Sequence, residues 1–149
     1  MQNIEVRIGD YFQLKEYKAI VKIKQVSKIY FWAETLNGND IQGVLTQLEP
    51  VELTGEILED NSFKKWGNTN LDFDYAYEDK DFSCYINLKT TPDKRTVIYL
   101  SNHDSFKPIT IEVRGRNIKS LNVHQLQHAF TDAGLLDMDE LFTIKKKEN

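Results

Sequence analysis

His124 and His128 stand four residues apart, and on a helix that spacing turns both imidazoles toward one face, as a zinc pair requires. The set is incomplete for metal chemistry. Gln125 follows the first histidine where a zinc-protease helix carries a glutamate base, and His103 is remote in sequence. One reading makes His124 and His128 the start of a metal-dependent hydrolase; the other makes Gln125, Gln127 and His128 polar-face residues around a packing stripe. Cys84 alternates with Phe82, Ile86 and Leu88, which places it in a core where burial would raise its pKa and keep it from acting as a nucleophile. Asp72, Asp74, Glu78, Asp79 and Asp81 crowd together, yet they lack the glycine and closing glutamate of an EF-hand loop and read as solvated strand edges and turns.

Two further constellations suit binding rather than catalysis. Arg114-Gly115-Arg116 sets two guanidiniums beside a residue that a ligand can approach closely, with Lys119 near, a combination able to grip a phosphate. A turn with exposed arginines is the plain alternative. Neither a P-loop nor a dinucleotide fingerprint occurs among the seven glycines. Tyr30 and Trp32 alternate with Ile29, Phe31 and Ala33, so they should share the opposite strand face. Beside Lys22, Lys24 and Lys28 they would suit stacking on a base or docking a peptide. In a closed barrel the same rings would instead cover the second half of the protein, and both readings stay open.

The elements that must position these residues are mostly short strands. Ile4, Val6 and Ile8 alternate, Gly9-Asp10 turns the chain, and Tyr17, Ala19, Val21 and Ile23 alternate again with Lys18, Lys22 and Lys24 outward. A strand follows from Ile29 to Glu34, then a turn at Asn37-Gly38-Asn39-Asp40 and a strand from Ile41 to Leu45. These predict an SH3-like small β module over residues 1–53, closed near Pro50. Thr54 is read as the N-cap of a short hinge helix. Residues 54–149 are read as a four-stranded antiparallel meander plus one packed helix. Leu71 to Tyr77 and Phe82 to Leu88 are its clearest strands, and Val123, Leu126, Ala129, Phe130 and Ala133 recur at helical spacing after a cap at Asn122. The fold class is α+β, mostly antiparallel β, and residues 1–149 are expected to form one compact unit.

Three stretches carry a family resemblance: Arg7-Ile8-Gly9-Asp10-Tyr11, Leu48-Glu49-Pro50-Val51-Glu52-Leu53-Thr54-Gly55-Glu56-Ile57-Leu58, and Val123-His124-Gln125-Leu126-Gln127-His128. The chain resembles small uncharacterised phage and prophage proteins of gut bacteria, which share the order of β module, hinge helix, meander and C-terminal helix. The resemblance implies a mobile-element origin and no active-site residue.

Composition sets the outer bounds. Of 149 residues 40% are hydrophobic, with eight Phe, seven Tyr and two Trp, enough for a core without metal or disulfide. The single cysteine cannot form an internal bridge, and the start Met1-Gln2-Asn3-Ile4-Glu5 carries no charged-then-apolar leader, which points to a host-cell cytoplasm. No apolar run approaches the roughly 20 residues that span a bilayer. The formal charge of −4 weighs against general nucleic-acid binding. No cofactor is implied. Together these features point to a binding protein rather than an enzyme, acting in counter-defence by blocking a host protein or sequestering a nucleotide signal. A structural accessory module that assembles with itself or another subunit is a further alternative.

Overall fold

Alternation of apolar and polar residues builds a series of short antiparallel strands, the main elements of the computed structural model, which describes residues 5–65, 74–78, 82–87, 96–102, 109–112, 121–132 and 142–144. It divides into two compact units, one of the N-terminal residues through Val51 together with Ile144, the other Glu52–Thr143.

In the first unit β1 (Tyr11–Leu14), β2 (Ile20–Val26), β3 (Tyr30–Thr35), β4 (Asp40–Val44) and β5 (Leu48–Pro50) form one sheet in the order β4-β3-β2-β1-β5. A single 3₁₀ turn, Leu45–Gln47, joins the last two strands, which completes an SH3-like arrangement. The inward residues Phe12, Leu14, Val21, Ile23, Phe31, Ala33 and Leu48 make the core. A bulge between Ile23 and Gln25 shifts the register of β2 against β3, so the inward phase moves from Val21 and Ile23 to Val26, and the strand bends at Lys24.

Several N-terminal residues depart from the expected pattern. The described residues of Ile4–Val6–Ile8 form no strand, and Ile8 is 65% exposed. Gly9 at φ 94° and the Asp10 carboxylate, which accepts from the Arg7 N–H at 2.8 Å, turn the chain there, so that β1 starts after the turn. Tyr17 does not join the inward row of β2. It lies in the turn between β1 and β2, next to Lys18 at φ 54°. Ile29 likewise sits in the turn before β3 and is exposed, while Phe31 and Ala33 point inward as expected.

In the second unit α1 (Gly55–Asp60) starts at Thr54, whose Oγ1 accepts from the Ile57 N–H at 3.2 Å. The strands β6 (Lys64–Lys65), β7 (Tyr75–Glu78), β8 (Phe82–Ile86), β9 (Thr96–Asn102) and β10 (Ile109–Glu112) follow in the order β10-β9-β8-β7-β6. The expected four-stranded meander is β7 to β10. The two-residue β6 adds a fifth strand at its edge, too short to show a period, after Ser62 at φ 72° has redirected the chain. Helix α2 (Val123–Asp132) packs against β9. The rings of Phe63, Tyr77, Phe82, Phe130 and Phe142 follow one another at centroid separations of 5.1–6.4 Å, linking the loop after α1, two strands and α2. The Asn61 amide donates to Ile57 O and Thr143 O and accepts from the Thr143 N–H, all at 2.8–2.9 Å. No helix of the described residues is long and apolar enough to cross a membrane.

Candidate functional site

Across the outer face of the first sheet the register aligns Gln25 with Trp32 and Trp32 with Gln42. Trp32 is half-buried between these amides, and Tyr30, one pleat along the same face, is 62% exposed. Phe31 and Ala33 take the core side, so β-strand alternation alone puts both rings outward. These rings and the flanking glutamines border a recess of about 280 Å³. A second recess of about 240 Å³ opens where Leu14, Phe31 and Ile41 meet Tyr17, which is 74% exposed, with Lys15 at its rim. Gln42 and Phe31 belong to both. The two recesses therefore flank one strand, β4, the outer one beside its polar face and the inner one beside its apolar face.

Gly43 makes this corner possible. A Cβ there would collide with Gln47 Oε1 and sit 3.0–3.1 Å from the Phe31 ring. Gln47 in turn accepts the Val44 N–H at 2.8 Å, holding the 3₁₀ turn onto the strand end.

The lysines nearby are largely engaged. Lys22 Nζ lies 5.6 Å from the centroid of the Tyr11 ring, Lys24 pairs with Glu34 at 3.6 Å, and Lys18 bonds Glu49. Hydrogen bonds from Lys18 and from Gln13 hold the Glu49 carboxyl below its ordinary range.

The histidine pair is arranged otherwise. The rings of His124 and His128 lie edge-to-face with centroids 5.5 Å apart, but His124 is buried within the packing face of α2 beside Val123, Leu126 and Phe130. Gln127 is 1% exposed, so it belongs to that packed face and not to the polar face expected of it. Gln125 Oε1 accepts from the Asn122 N–H at 2.9 Å, closing the helix start from the N3 position. Among the described residues no three His, Cys, Asp or Glu gather in a way that could hold a metal ion. Glu78 accepts a hydrogen bond from Tyr85 Oη, while Asp72, Asp79 and Asp81 lie outside the described residues. Cys84 is fully buried, and desolvation pushes its thiol far up. Arg114, Arg116, Lys119 and His103 also lie outside the described residues.

Sequence reasoning singled out Tyr30 and Trp32 but missed Tyr17, Ile41, Gln42 and the recesses they line. The available signal was Gly43, a glycine inside a strand pattern, which marks close approach by another group.

Comparison with known proteins found no matching family model, no matching curated protein and no matching solved structure.

Proposed function

We propose that the chain is a non-enzymatic binding protein of phage or prophage origin that acts in the host cytoplasm as a counter-defence factor, blocking a host protein at the β4 edge of its N-terminal sheet and the faces beside it. The observation that carries this reading is the pair of adjoining recesses around β4, rimmed by the exposed rings of Tyr17 and Tyr30 and by the half-buried Trp32. Exposed aromatic rings beside shape-defined recesses are the usual anchors of protein recognition, because each buries a large area at low entropic cost. Engagement of Lys18, Lys22 and Lys24 by acids and a ring favours a protein partner over a phosphate-bearing one. The phage origin rests on the resemblance of the three sequence stretches.

Native mass spectrometry of the protein taken directly from bacterial cells tests this. A complex with one host protein that disappears on Trp32→Ala is the expected result. A co-purifying nucleotide that survives this substitution would replace the reading with nucleotide sequestration.

A further inference from the structure

The hydrogen-bond phase of the β3–β4 hairpin shows which backbone groups of β4 are turned away from its partner. Thr35 N–H donates to Asn39 O and Leu45 N–H donates to Ile29 O, each at 2.8 Å. In an antiparallel ladder bonded pairs alternate with unbonded ones, so Ile41 and Gly43 bond across to β3 while Asp40, Gln42 and Val44 direct their N–H and C=O groups outward. The Val44 N–H confirms this phase, since it meets the Gln47 side chain beyond the strand. β4 ends its sheet among the described residues, and Asp40 and Gln42 are exposed. Its sequence, Asp-Ile-Gln-Gly-Val, carries no lysine or proline, and its ladder with β3 has no bulge, the usual devices that keep an open edge from pairing.

From this geometry, and resting on the reading of this face as the binding surface, we infer that β4 receives an extended segment of the partner as an added strand, paired through the backbone of Gln42. The side chains of such a strand alternate between the two faces of the sheet. One would enter the apolar inner recess against Leu14, Phe31 and Ile41, whose volume of about 240 Å³ takes an aliphatic side chain. Its neighbours would lie on the outer face over Trp32 and beside Asp40. The charge there is unbalanced. Asp40 stands directly across from Glu34, whose ion-pair partner Lys24 lies on the far side in β2, and among the described residues Asp40 has no ion pair. Like charges opposed across a ladder are unfavourable, so the outer positions call for lysine or arginine, which also suits the aromatic ring face. The partner segment is thus extended, with aliphatic and basic residues in alternation.

The probe is a short capped peptide of alternating valine and lysine, followed by amide NMR of the full chain. The expected result is shifts confined to the β3–β4 hairpin and the recess rims, with slowed hydrogen exchange at the Asp40 and Gln42 amides. Gln42→Pro deletes an outward donor while leaving the β3 ladder intact, as edge positions allow. It should weaken binding about tenfold, the loss of one or two hydrogen bonds. The same peptide N-methylated at alternate residues should fail to bind the wild type, a readout that needs no variant to fold. Absence of binding, or equal affinity for Gln42→Pro and for the methylated peptide, would overturn strand addition. Peptide binding that Trp32→Ala abolishes but Gln42→Pro leaves unchanged would keep the binding face and remove the added strand. Protection of Gln42 that rises with protein concentration without peptide would make the occupant a second copy of the chain and overturn the inference.

Discussion

Helix α2 and the β3–β4 hairpin each present two rings a short step apart in sequence, His124 and His128 on one, Tyr30 and Trp32 on the other. On the helix the residues that look chemical are drawn into packing: His124 and Gln127 lie on the buried face with Leu126 and Phe130. On the hairpin the residues that look like packing are turned outward, because Phe31 and Ala33 already fill the core side. The lesson is that residue type nominates a site but the phase of the element decides it. Helical spacing alone could not reveal that α2 buries so broad a face, whereas strict alternation in β3 left one outcome for Tyr30 and Trp32 once Phe31 was inside.

The strongest way to break this contrast is to truncate one anchor on the helix. Phe130→Ala removes a fully buried ring that meets Phe82 and Phe142, and should cost about 3–5 kcal/mol in chemical denaturation. Gly43→Ala tests the hairpin's own scaffold. Its new methyl must displace the Phe31 ring and the Gln47 amide, for an expected loss of about 1–3 kcal/mol, read by hydrogen exchange in the first sheet. By contrast Trp32→Ala should cost about 1 kcal/mol and Tyr30→Ala about 0.5 kcal/mol or less, while both reduce partner binding. A stability loss at Trp32 as large as that at Phe130 would make the hairpin rings core residues and erase the contrast.

A smaller effect separates the two sheets by pH. Burial, with help from the Glu78 carboxylate, pushes the Tyr85 phenol on β8 from 10.0 up to about 12. The folded chain therefore holds this proton more tightly than the unfolded one. Whatever stability that gives is complete below about pH 10 and declines as pH rises through about 12. Ultraviolet titration of Glu78→Gln should show the phenol ionising nearer its ordinary value, with the hairpin amides unmoved. The smallest expected effect is the response to zinc. Saturating zinc should leave the melting temperature unchanged, and a rise lost on His128→Ala would restore the histidines as a metal site.

Much of the fold was legible because its signals are local. Phe82, Cys84 and Ile86 alternate with Ser83 and Tyr85, Thr54 announces a helix start, and Gly38 at φ 87° marks the hairpin turn. What escaped was set by pairing that no local pattern carries. Leu48–Pro50 joins β1 across a long sequence gap, Lys64–Lys65 is too short to show a period, and the turn made by Gly9 and Asp10 moved the first strand downstream of Ile8. The binding face was half legible for the same reason. Its rings follow from alternation within one strand, but its recesses need Tyr17 and Ile41 brought together by a sheet.

The amide of Asn61 carries one more consequence, for the order in which the protein can assemble during synthesis. All five strands of the first sheet are drawn from Tyr11–Pro50, so that sheet can form while most of the chain is still unmade. The second unit cannot close so early, because the residue that ends its first helix bonds in both directions to Thr143. On a translating ribosome the edge of β4 would then be presented, ready to pair, well before the second unit is complete.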